Sequence, residues 1–350
     1  IARWISLTYF FETYQQVVQV IEEQQNRPRY FKKSKDVGEL MKEPSTLENF
    51  ITILSGEDEG HNLSFTEEER QIAQEFFQYN NYYNFSIFPK LLPCQGDKYS
   101  YTDALRIYQI DEFLRREIHY FTSRIEKWIK TSVAYHLSHI YESTEYAKAE
   151  CYLDPALYNS RKTYLETMES FSEALHKSKE PFIEHHFKQR NGCIPIWVLV
   201  EELTFGQVDT FLSVLNTDYR NEWSDRVFGR ENRKFVLSWI SVSRYLRNIS
   251  AHHSRFYGKK YIVLPRLKKE DMKQYGVTNG DKNTLFVALL VLKSLLSFHS
   301  LQVQSEWNLF MDNLEEIFND NTEIINYPLN GLRENWKNAL VIAIDPTNKD

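Results

Sequence analysis

The forty residues from Thr102 to Tyr141 contain neither glycine nor proline and alternate charged with apolar side chains at helical spacing. Such a run predicts one long amphipathic helix, or two joined by a bend. The rest of the chain points the same way. Only 11 glycines and 10 prolines occur in 350 residues, few for an all-β protein with many tight turns. The length suffices for one large domain or two ordinary ones, and an aromatic content of 15% argues for an ordered, packed protein.

Periodicity and punctuation predict the remaining elements. Trp4, Ile5, Phe10, Phe11, Val17, Val18 and Ile21 suggest an N-terminal helix over 1–25, followed by a linker to about residue 45. Ser45 to Glu48 caps a short helix into Ile53, and Ser64-Phe65-Thr66-Glu67 opens another that runs to about Tyr79. Asn80 to Phe88 reads as an aromatic turn. Pro155 starts a helical stretch through Lys177, and Pro181 marks a break. Further helices are expected over Ile196–Leu215, Phe235–His253, Asp281–Leu296 and Ser305–Phe318. Lys259 to Leu264 is β-like, a short edge hairpin or a loop. The apolar run Leu285–Leu296 is too short to span a bilayer and contains Lys293, so it reads as a buried helix.

A net charge of −6 counts against a broad nucleic-acid-binding surface but leaves room for a local basic cleft. The three widely spaced cysteines, Cys94, Cys151 and Cys193, suggest neither a disulfide framework nor a zinc site, which fits a reducing, cytoplasmic setting.

Chemistry concentrates in the run Arg247-Asn248-Ile249-Ser250-Ala251-His252-His253-Ser254-Arg255. A fixed cation, an amide and a group that moves protons near neutral pH suit work on a phosphodiester. At about 100° per residue, Trp239, Val242, Leu246, Ile249 and His253 fall on one apolar face. Arg244, Asn248, His252 and Arg255 fall on the opposite face, flanked by Arg247. His253 is therefore expected in the core and His252 on a polar stripe. Geometry alone leaves that stripe evenly divided between a solvated face and a site.

Other candidates are weaker. His136, His139, His185 and His186 lack the Cys or carboxylate company of a metal site. Arg124, Lys127 and Lys130 form one basic stripe, and Lys259, Lys260, Arg266, Lys268 and Lys269 form another; such runs are more often solvated faces than RNA guides. Tyr82, Tyr83 and Phe85 read as core rather than as base-stacking groups.

Arg247-Asn248-x-x-x-His252 is similar to the Arg-x(4–6)-His signature of HEPN-type ribonucleases. Pro195-Ile196-Trp197 through Glu202-Leu203-Thr204-Phe205-Gly206 resembles a block of the bacterial abortive-infection (Abi) proteins of the AbiD/AbiF type. Ser238-Trp239, Tyr245-Leu246-Arg247-Asn248 and Ala251-His252-His253-Ser254-Arg255 resemble their central block. Asn81-Tyr82-Tyr83, Ile110-Asp111, Arg115, Arg124-Ile125-Glu126 and Leu332-Arg333-Glu334-Asn335-Trp336 resemble outer landmarks, in order, across about residues 46–337. One departure is Asn84, where the family usually has an arginine after the paired tyrosines.

The resemblance implies an all-α fold, a HEPN-like helical bundle with an N-terminal helical extension and at most a small β-hairpin. It divides the chain into an N-terminal helix and linker (1–45), a helical subregion (46–100), a HEPN-like core (101–337) and a tail (338–350). It also implies a toxin-like, metal-independent endoribonuclease in anti-phage defence, needing no cofactor and working as a homodimer on RNA. Arg247, Asn248 and His252 would be catalytic by that carry-over. Arg244 and Arg255 are candidates for substrate phosphates from helix geometry. A small-RNA antitoxin is implied by the resemblance alone, and no membrane partner is expected. The alternative is a non-catalytic HEPN-like module that binds RNA or dimerises.

Overall fold

The computed structural model describes residues 45–56, 62–93 and 99–344 of the protein. The helix expected over 1–25 and its linker to residue 44 lie outside the described residues, as does Cys94. Three short helices come first: α1 (Leu47–Ser55), α2 (Glu67–Tyr79) and α3 (Tyr82–Phe85). The predicted signal starts α2, where the Thr66 side chain accepts from Glu69 N–H and Glu69 bonds back to Thr66 N–H. The expected aromatic turn instead contains α3, which buries Tyr82 and Phe85 and leaves Tyr83 exposed.

The forty-residue rod is a single helix, α4 (Tyr101–Ile140), started by a capping box between Ser100 and Asp103. Ile107, Leu114, Ile118, Ile125 and Ile129 on one face are fully buried. The following segment departs from the expected single stretch. Pro155–Leu157 is one 3₁₀ turn, and Ser160 then caps α5 (Arg161–Lys177). Pro181 is the first residue of a helix, α6 (Pro181–Gln189), where a missing N–H costs nothing.

The helix expected over Ile196–Leu215 is two, α7 (Ile196–Glu202) and α8 (Phe205–Val214). Thr204 divides them because its hydroxyl accepts from Gln207 N–H while Gln207 bonds back to Thr204 N–H. Then come α9 (Thr217–Phe228), α10 (Arg233–Ala251), α11 (Lys269–Gln274), α12 (Leu285–Leu296), α13 (Leu301–Asn319) and α14 (Trp336–Leu340).

The fold is all-α. Among the described residues there is no strand, and Lys259–Leu264 takes the loop alternative. As expected of a buried helix, α12 hides every residue from Leu285 to Leu292. It packs against α10, which also contacts α4, α8 and α9. Trp239 and Trp307 fill this interior, and each indole N–H reaches a carbonyl, of Arg266 at 2.9 Å and of Leu340 at 2.8 Å. No described helix is long and apolar enough to cross a membrane.

Candidate active site

The expected apolar face of α10 is in the core: Trp239, Val242, Leu246 and Ile249 are all buried. The helix ends at Ala251, two residues earlier than expected. His252 is the C-cap, and His253 adopts the left-handed conformation at φ 53°. Ser254 N–H reaches Ile249 O at 2.9 Å and His253 N–H reaches Ser250 O at 3.2 Å. This is a Schellman closure with histidine in the position usually held by glycine.

The closure overturns the expectation for His253, which is exposed rather than packed, because the helical phase that placed it in the core has already ended. The same ending removes Arg255 from the polar stripe. Its side chain is half-buried near Asp111, with Nη1 fully covered and unpartnered among the described residues, and burial lowers its pKa. The chain then enters the core at Phe256 and Tyr257, both wholly buried.

Asp111 of α4 anchors that descent. Its Oδ1 accepts the backbone N–H groups of Phe256 and Tyr257, each at 2.7 Å, and its Oδ2 accepts from Arg115 at 3.3 Å. Burial pushes the Asp111 carboxyl above the usual range, against the pull of those donors. Next, Gly258 turns at φ 63° while its N–H donates to Asn330 at 2.7 Å. A Cβ there would meet the side-chain ends of Leu329 at 2.9 Å and Leu91 at 3.0 Å, which with the left-handed φ favours glycine.

The other motif residues remain on the last turns of α10. Arg247 is 38% exposed and its Nε donates to Glu126 Oε2 at 3.0 Å. Lys130 also approaches Glu126, at 3.5 Å, so two cations share one carboxylate and the trio keeps a net positive charge. His252 is exposed, and its imidazole has no hydrogen-bond partner among the described residues. Its backbone N–H donates to Asn248 O at 3.0 Å, which holds it one turn beyond the asparagine. Arg244 is held by Asp209 of α8 through Nε at 2.7 Å.

Sequence reasoning did not assign a role to His119 of α4. Its Nδ1 lies 3.0 Å from Ser250 Oγ, and that hydroxyl donates its only proton to Arg247 O at 2.8 Å. The exposed His119 ring is thereby tied through Ser250 to the backbone of Arg247. Asp111, His119 and Glu126 recur at near-heptad spacing on the long helix, and this polar interruption of its packed side is the one signal that could have marked them. Among the described residues, no group of three His, Cys, Asp or Glu side chains is gathered as a metal ion would require.

No curated protein and no solved structure matches the chain. The sequence profile of the Abi-like proteins matches residues 75–258, more than half of its length, including α4 and the whole of α10. The chain therefore belongs to the Abi-like protein family.

Proposed function

We propose that this Abi-like protein is a toxin-like, metal-independent endoribonuclease of the HEPN type, acting in abortive infection. The observation that carries the reading is that His252 is exposed, with its imidazole unpartnered among the described residues, on the same helix end as an Arg247 held by Glu126 with more than a third of its side chain exposed.

In this reading the RNA supplies its own nucleophile. The 2′-OH loses its proton as its oxygen attacks the adjacent phosphorus, the P–O5′ bond breaks, and the departing 5′ oxygen gains a proton. The products are a 2′,3′-cyclic phosphate and a 5′-hydroxyl. His252 moves the proton, a role suited to an imidazole with no hydrogen-bond partner among the described residues. Arg247 stabilises the charge that builds on the phosphorane, and Asn248 orients the imidazole or the phosphate. The net positive trio of Arg247, Lys130 and Glu126 supports this, because Arg247 is positioned without being fully neutralised. The reading includes a two-fold homodimer whose two motifs combine in one site, and a small-RNA antitoxin as restraint.

Sequencing of RNA ends after induced expression tests the function. New 5′-hydroxyl ends are expected with wild type and none with Arg247→Ala or His252→Ala, together with loss of growth inhibition. Intact RNA with retained RNA binding would instead support a non-catalytic module.

A further inference from the structure

A second cationic feature lies along α10, upstream of the motif. A cleft of about 690 Å³ opens between α9 and α10, lined by Arg220, Arg230, Arg233, Lys234 and Arg266 against only Asp209 and Glu231. In a chain of net charge −6 this local excess is unusual. Internal partners do not account for it. Arg233 is paired with Asp225, but Arg230, Lys234 and Arg266 form no ion pair among the described residues, and all three are exposed.

The cleft has a built wall. Ser238 Oγ accepts Arg266 N–H at 3.0 Å, and the Trp239 indole donates to Arg266 O at 2.9 Å. Both sides of the Arg266 backbone are thus fixed to α10, and its side chain is presented from a rigid edge rather than a loose loop.

The cleft and the motif share one face of one helix. Lys234, Leu237, Ser241, Arg244, Asn248 and His252 follow one another at spacings of three and four residues. They form a single ridge, the first three lining the cleft and the last being the exposed imidazole. From Lys234 to His252 the ridge is about 27 Å long at 1.5 Å per residue.

We propose that this ridge is the track of a single RNA strand, with the cleft binding its phosphates by Arg230, Lys234 and Arg266 at a distance from the bond cleaved at Arg247 and His252. The strand is single because attack by a 2′-OH must be in line with the P–O5′ bond, a geometry that a stacked duplex opposes. The assignment of the strand's reactive end rests on the ribonuclease reading, whereas binding in the cleft does not.

The test is fluorescence anisotropy with a 2′-O-methyl RNA 12-mer, which the protein cannot cleave by that route, and the full-length chain. The variant Arg230→Ala/Lys234→Ala/Arg266→Ala is expected to lower the salt dependence of log K by about 2, and affinity about fiftyfold at 0.15 M salt, for three lost contacts at ~0.7 each. A control removing the same charge at exposed Lys90, Lys148 and Lys179 should bind as wild type. Equal affinity and salt dependence in wild type and triple variant would overturn the track, as would equal weakening by the control or absence of wild-type binding. If wild type binds the 12-mer through the cleft but leaves unmodified RNA whole, the track stands and the ribonuclease reading fails.

Discussion

Arg247 and Arg255 both lie beside the long helix α4, each near one of its carboxylates, yet they occupy opposite regimes. Arg247 keeps more than a third of its side chain exposed while meeting Glu126, a buried carboxylate that Lys130 also approaches. Arg255 is half-buried near Asp111, whose oxygens already serve Phe256, Tyr257 and Arg115. An arginine that stays partly solvated can exchange its partner for a phosphate, because Lys130 remains beside the Glu126 carboxylate. A buried carboxylate that receives backbone donors is structural, and its loss leaves groups with nowhere else to bond. The seven residues between the two arginines thus divide the proposed chemistry from anchorage.

Substitutions at the two places should break in different ways. Asp111→Ala is expected to destabilise the protein by about 3–5 kcal/mol, read by urea unfolding, because two buried N–H groups and nearby cations lose their acceptor. Its remaining activity should follow the folded fraction. Arg247→Ala and His252→Ala should reverse that pattern, with RNA cleavage reduced about a hundredfold or more while the urea midpoint stays near wild type. A large midpoint shift in either would place the residue on the structural side of the comparison.

Glu126→Gln sharpens the boundary. It keeps the shape at Arg247 but removes the charge that positions it, so cleavage should slow about tenfold with stability lowered by about 1–3 kcal/mol, because Glu126 is buried and serves two cations. Unchanged cleavage would show that Arg247 needs no positioning from α4. The smallest effect belongs to His253→Gly. Relief of the left-handed φ of 53° at the Schellman position should stabilise the chain by about 1 kcal/mol, seen as a rise in Tm, with cleavage unaltered. A loss of cleavage would give His253 a role in the chemistry.

Helical periodicity made much of this legible. It gave α4 as one long helix or two joined by a bend, of which the first is observed, and the buried face of α10 through Trp239, Val242, Leu246 and Ile249. It failed where the helix stopped, because Ser250-Ala251-His252-His253 offers no glycine to announce a left-handed closure. His253 and Arg255 were then placed by a phase that no longer applied. The split between α7 and α8 was present in the Thr204–Gln207 capping box but hidden by the apolar residues on either side. Partners of the motif were beyond local pattern altogether. Glu126 reaches Arg247 across 121 positions and Asp111 reaches Phe256 across 145, contacts that only the packing of α4 on α10 brings about.

The central claim is that the surface arginine and the free histidine cut RNA without a metal. Incubation of purified protein with single-stranded RNA in excess EDTA, with the fragment ends identified by mass spectrometry, tests it most directly. The account predicts 2′,3′-cyclic phosphate ends with wild type and intact RNA with His252→Ala. Equal cleavage by the two proteins, or no cleavage by wild type, would contradict it.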